Sequence, residues 1–330
     1  MEDLTAIILC PGQGAQAVGM GKAWYDACPA AKRTFDEADA ILGDVLGAPL
    51  SRICFDGPAD ALNRTEVAQP ALFVCGVACH RALVERGGEP PTDSAAGLSL
   101  GEYTALHLAG VFGFEQCLGL VARRGRLMQE AADRTAGGMV ALIGADQEQA
   151  EQVCRNAAVN GDDAEILVCA NFNAPGQIVL SGHRGACGRA VAAATVLGVR
   201  ATPLAVAGAF HSPLMQPAAD GMAEALAGIT PAPPRYPVWS NVTAQPHKSD
   251  DPELLKQRLV EQIVQPVQWS RTCRALAAGG TIRCLEMAPG AVLRGLMRRI
   301  DRKVKVISHD RPDRPDRPDR PVKPVVPETE

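Results

Sequence analysis

The chain has 330 residues, 47% of them hydrophobic, and a formal net charge of −4. That length suits one large domain with an insertion, or two domains, around a sizeable core. The acidic balance argues against a general nucleic-acid binder. No apolar run reads as long enough to span a bilayer, and the acidic start Met1-Glu2-Asp3 lacks a signal-peptide n-region, so the chain reads as cytoplasmic.

Leu4–Leu9 is a short apolar run that predicts a buried strand. The turn-rich Pro11-Gly12-Gln13-Gly14-Ala15-Gln16 ends it. Helical patterning predicts a helix from about Lys22 to Leu46, and the alanine-rich stretch Gln69–Val84 predicts a buried one. Eleven cysteines lie scattered in apolar stretches with no C-x-x-C. Cys75 and Cys79, beside His80, come nearest a metal cluster. With i, i+4 spacing on an apolar helix and no second ligand pair, they read as buried thiols. All the cysteines read as reduced and structural, and no metal or cofactor is expected.

Ser94-Ala95-Ala96 reads as a strand end. Gly97-Leu98-Ser99-Leu100-Gly101 follows as G-x-S-x-G, and Glu102–Leu108 reads as a helix. Strand, sharp turn and helix are the context of a nucleophile elbow, in which a tight backbone bend exposes the serine hydroxyl. The helix start aims free N–H groups and a partial positive charge at the place where an oxyanion would form.

A helix near Phe114–Ala132 carries Arg123, Arg124 and Arg126, and Gly137-Gly138 breaks the pattern after it. Then come a strand at Met139–Ile143 and a helix at Gln147–Ala158. Strands at Ile166–Ala170 and Gln177–Ser181 flank a loop over Asn171–Gly176. A helix at Arg184–Leu197 and a strand at Arg200–Leu204 complete the run. This β-α-β-β-α-β order predicts a small inserted subdomain over 136–206. The main subdomain, 1–135 and 207–308, resumes with strands near Val238-Trp239-Ser240 and Thr281–Glu286. Arg-Pro-Asp repeats and frequent proline cannot build a core, so 309–330 is expected to be a disordered tail.

A serine hydroxyl needs a base to take its proton. Of six histidines, His80 and His107 sit in helical runs and read as packed or surface groups. His183 follows a strand, while His247 and His309 lie in polar loops. His211, in Gly208-Ala209-Phe210-His211-Ser212-Pro213, sits at a loop-to-helix junction, where catalytic groups are often held.

With these motifs in order, the chain resembles the malonyl-CoA:acyl carrier protein transacylases from Ile7 to about Ile300. The resemblance rests on the Pro11–Gln16 loop, the Gly97–Leu106 elbow and the Arg123–Gln129 helix. It continues through Asn171–Gln177, Phe210–Met215, Gln265–Trp269 and Glu286–Gly290. It implies an α/β fold, with an α/β-hydrolase-like main subdomain built on a parallel sheet and a small inserted ferredoxin-like subdomain. It implies Ser99 as nucleophile and His211 as general base, with backbone amides of Gln13 and Leu100 as the oxyanion hole. The Gln262 carbonyl would orient the histidine, Arg124 would clamp the malonyl carboxylate, and Phe210 would select against a branched acyl chain. The implied partners are malonyl-CoA and an acidic acyl carrier protein, with the chain a monomer. Leu98 departs from the family, which usually has histidine there.

Three other readings remain. Gly12-x-Gly14-x-x-Ala17 loosely fits a dinucleotide-binding loop, but the required second strand is replaced by helical pattern. A simple serine hydrolase shares the elbow and the histidine yet has no use for Arg124. A docking module without catalysis would not need Ser99 and His211.

Overall fold

Ala6, Ile8 and Cys10 alternate with Ile7 and Leu9, and every residue of this strand is buried. The first set enters the main core; the second joins Ala96, Trp269 and Leu293 on the opposite face. A strand covered on both faces in this way belongs inside a parallel sheet. The computed structural model describes residues 5–88, 90–160, 163–278 and 283–312. In chain order its strands are β1 (Ala6–Cys10), β2 (Thr92–Gly97), β3 (Gly137–Ile143), β4 (Val159–Asn160), β5 (Asp163–Ala164) and β6 (Leu167–Ala174). They continue with β7 (Gln177–His183), β8 (Arg200–Pro203), β9 (Val238–Trp239), β10 (Arg283–Glu286) and β11 (Lys305–Ser308). Leu4, Thr281 and Ile282, expected in strands, lie outside the described residues.

The main sheet runs β11-β10-β1-β2-β9, with every pair parallel. Its register sets Cys10 beside Gly97, so the loops leaving β1 and β2 emerge together at the carboxyl ends. Open parallel sheets place their ligand crevices at that edge.

The second sheet runs β6-β7-β3-β8, all antiparallel, with its own core of Val140, Leu142, Val153, Leu180 and Ala190. This strand order, with helices Gln147–Ala158 and Arg184–Val196, is the ferredoxin-like arrangement. Two local expectations change. Gly137-Gly138 opens β3 instead of breaking the pattern; a Cβ on Gly137 would stand 2.9 Å from the Ala209 backbone nitrogen, so close approach is what requires glycine there. The loop expected over 171–176 is mostly strand, since β6 runs through two irregularities to Ala174 and only Pro175-Gly176 turns. An added residue at a bulge hides strand periodicity from the sequence.

Val267 bridges β6 to the main subdomain: its N–H donates to the Ala170 carbonyl (2.8 Å) and its carbonyl accepts from Phe172 N–H (2.9 Å), while its side chain packs in the cluster of Ile7, Leu9 and Ala96. The helix expected over 22–46 is two helices, Lys22–Ala27 and Pro29–Leu42. Pro29 forces Cys28 into an extended conformation (φ −143°, ψ 120°) and starts the second helix at its first position.

Contrary to the bilayer expectation, Thr65–Gly87 is long and apolar enough to cross a membrane, its most apolar window having a mean hydropathy of 1.5. Within the fold 83% of its most apolar window is buried, which makes it the central core helix of the main subdomain. His309 and Asp310, assigned to the tail by sequence, contact the body: Trp24 Nε1 donates to the His309 carbonyl (2.8 Å), and Gly290 N–H to Asp310 Oδ1 (2.7 Å). Residues 313–330 lie outside the described residues.

Candidate active site

Gly97 and Gly101 make the elbow possible. A Cβ on Gly97 would fall 1.9 Å from the Gly101 carbonyl, and one on Gly101 would fall 2.1 Å from the Cys10 carbonyl. Only hydrogen fits at either place, so the chain can reverse within five residues. Ser99 at the apex has φ 52°, the left-handed conformation that L side chains rarely adopt. The helix Gly101–Leu108 begins immediately afterwards.

Ser99 Oγ lies 2.9 Å from His211 Nε2. His211 Nδ1 lies 2.7 Å from the main-chain carbonyl of Gln262. That carbonyl can only accept, so Nδ1 carries the proton and Nε2 is left to accept from the serine hydroxyl. His211 is 4% exposed and also sits at positive φ, 56°. Burial, reinforced by the neighbouring Arg124 charge, lowers its pKa to about 4; the Gln262 carbonyl opposes this only in part. The imidazole is therefore neutral at neutral pH and able to take a proton.

Arg124 enters from the helix Phe114–Arg134 and is 1% exposed. Its Nη1 donates to Gln69 Oε1 (2.7 Å), and its Nη2 to Gln262 Oε1 (2.8 Å) and Ser99 Oγ (3.2 Å). The guanidinium also lies over the Tyr103 ring, 5.6 Å from its centroid. Burial pulls its pKa down, while Tyr103 and Glu102 pull the other way. Its helix neighbours face outward: Arg123 lies 3.9 Å from Glu224, and Arg126 lies 3.8 Å from Glu130.

The Gln13 loop crosses directly over the elbow, because a Cβ on Gly12 would stand 2.2 Å from the Leu98 carbonyl. Among the described residues, the amides of Gln13 and Leu100 donate to no acceptor of the chain. The Ser99 amide is different; it donates to Asn241 Oδ1 at 2.6 Å. Phe210 is buried in the main core beside His211 in sequence. His211 and Arg124 thus converge on the Ser99 hydroxyl, Gln262 holds both of them, and the loop bearing Gln13 lies against the elbow.

Residues 7–311 match the model of the acyl transferase domain family. The chain is 42% identical to the malonyl CoA-acyl carrier protein transacylase of Escherichia coli over 291 residues, 88% of this chain and 91% of that one. A transacylase structure from Xanthomonas oryzae superposes with a TM-score of 0.87 at 40% identity, covering 94% and 96% of the two chains. The chain belongs to the malonyl-CoA:acyl carrier protein transacylase family. A polyketide-pathway transacylase of Bacillus subtilis is 36% identical over 90% of this chain and 97% of its own length.

Several residues that build this transacylase site escaped sequence reasoning. Asn241 holds the elbow from both sides, accepting from Ser99 N–H and donating to the Gly97 carbonyl at 2.6 Å. Gln69 steadies Arg124. His247, assigned to a polar loop by sequence, is buried, with its Nε2 2.7 Å from Glu102 Oε1. None of these carries a local signal, since an asparagine or glutamine reads the same in a loop or on a helix face. Leu98, where the transacylase family usually has histidine, packs against the apolar cluster containing Val267 and Trp269.

Proposed function

We propose that Ser99 carries the malonyl group in its passage from malonyl-CoA to the phosphopantetheine thiol of acyl carrier protein. Ser99 Oγ attacks the thioester carbon as His211 Nε2 takes the hydroxyl proton. The tetrahedral oxyanion is held by the amides of Gln13 and Leu100, where one lost donor costs on the order of 3 kcal/mol of transition-state stabilisation. Collapse breaks the carbon–sulfur bond, and the departing CoA sulfur takes the proton from His211. The carrier thiol then gives its proton to His211, attacks the malonyl-serine ester and regenerates Ser99. Arg124 binds the free malonyl carboxylate, a planar group suited to a guanidinium fork. The Phe210 ring disfavours a methyl branch beside the carbonyl by about 1–3 kcal/mol. The reaction serves fatty-acid or polyketide synthesis, and the chain works as a cytoplasmic monomer without nucleic acid or membrane.

One observation carries this reading: the same Ser99 oxygen lies 2.9 Å from the base and 3.2 Å from a buried guanidinium. A plain hydrolase needs only the first contact. Brief exposure to malonyl-CoA, followed by intact mass spectrometry and peptide mapping, is expected to find one malonyl group on Ser99. Arg124→Ala is expected to lose malonyl loading far more than acetyl loading. A label elsewhere, or malonyl loading untouched by that substitution, sinks the reading.

A further inference from the structure

Glu102 stands three residues after the nucleophile and is fully buried. Among the described residues no lysine or arginine pairs with its carboxylate. Its partners are His247 Nε2 on Oε1 (2.7 Å), and Gln262 Nε2 (2.6 Å) and Asn241 N–H (3.1 Å) on Oε2. Gln262 lies between this carboxylate and Arg124. Its Oε1 accepts from Arg124 Nη2 (2.8 Å), and its Nε2 donates to Glu102 and to the Ser99 carbonyl (2.9 Å). The direction of the amide is fixed by chemistry. A guanidinium only donates and a carboxylate only accepts, so a flipped Gln262 would oppose donor to donor and acceptor to acceptor.

We infer that Glu102 is a positioning residue for malonyl recognition: through the Gln262 side chain it holds the Arg124 guanidinium on Ser99 and balances its charge without occupying it. The spacer matters. A carboxylate set directly against Arg124 would compete with the carboxylate of the substrate for the same donors. A guanidinium buried with no nearby anion would be costly to desolvate. One amide between the two charges satisfies both demands and leaves the face of Arg124 beside Ser99 open. The main-chain carbonyl of Gln262 meanwhile holds His211, so the residue that Glu102 fixes ties base and clamp together. The inference rests on Arg124 binding the malonyl carboxylate.

The test compares acylation of Ser99 by malonyl-CoA and by acetyl-CoA, measured as rate against concentration. In Glu102→Gln a neutral carbonyl oxygen replaces the anion that accepts from Gln262 and Asn241, so Gln262 loses its charge-assisted anchor. The expected result is a fall of about tenfold or more in the malonyl-over-acetyl preference, the order of one lost hydrogen bond to a charged group. The loss should sit mainly in the malonyl-CoA concentration needed for half-maximal loading, and Glu102→Asp should restore part of it. Equal losses for the two acyl groups, with the preference intact, would make Glu102 a support of the fold alone and overturn the inference. If Glu102→Gln does not fold, Glu102→Asp decides: a lowered preference supports the role, and an unchanged one overturns it. Arg124→Ala separates the two levels. If it keeps the malonyl preference, the clamp reading itself fails; if it erases the preference while both Glu102 variants keep it, only the positioning role fails.

Discussion

Ser99 and His211 are two of the three described non-glycine residues at positive φ, and they face each other across one hydrogen bond. Strained backbone concentrates where a side chain must be aimed. Beside Ser99 stands an imidazole already neutral, the form a general base requires. Burial and the Arg124 charge both disfavour the imidazolium, so protonating His211 takes a pH near 4 instead of the usual 6.5. The malonyl loading rate per substrate concentration should therefore hold down through pH 6 and fall only as pH approaches about 4. The same shift favours the folded state above pH 6.5 and loses that contribution as pH falls toward about 4, so circular dichroism should accompany each rate. In Arg124→Ala, assayed with acetyl-CoA, one of the two lowering causes is gone and the acid limb should move up; an unmoved limb would leave burial as the sole cause. Ser99, His211 and Arg124 were legible because each sits in a local motif. Asn241 was not, because its bond to Ser99 spans 142 positions and nothing near it in sequence signals the contact.

At the scale of elements, the loop after β1 has to lie against the elbow after β2 for the Gln13 amide to reach the reacting carbonyl. Gly12 permits this, since any Cβ there would meet the Leu98 carbonyl at 2.2 Å. Gly12→Ala should push the loop off the elbow and cost about a hundredfold in the acylation rate, the scale of one missing oxyanion donor. Ester hydrolysis of an activated acetyl substrate should fall in parallel, because the oxyanion is common to all acyl groups. A rate within threefold of the parent would detach Gln13 from the oxyanion. The sequence revealed the elements themselves better than their ends. Alternation and apolar runs marked β1, β3 and β7. The proline that splits the first long helix was overrun, and the irregular end of β6 was read as loop, because neither changes hydrophobic periodicity. The order of strands across each sheet was not read from the sequence; the βαββαβ run and the family motifs implied a parallel main sheet and a ferredoxin-like insertion, and pairing between distant strands carries no local signal.

Across the whole molecule, charge is uneven. The chain is acidic overall at −4, yet Arg294, Arg298, Arg299, Lys303 and Lys305 crowd one stretch. The helix Val292–Ile300 turns Leu293, Leu296 and Met297 inward and leaves Arg298 and Arg299 exposed. An acidic carrier protein approaching this surface would be steered by long-range attraction, which raises the encounter rate more than the final affinity. The two half-reactions make this separable, because only the second involves the carrier. Arg298→Glu with Arg299→Glu should leave formation of the malonyl-enzyme from malonyl-CoA near the parent rate and slow its discharge onto carrier protein. The deficit should shrink as salt rises, since screening removes the steering that the parent enjoys at low ionic strength. A loss shared equally by both half-reactions, or one indifferent to salt, would assign these arginines to the solvated face of a structural helix and move the search for the carrier surface elsewhere.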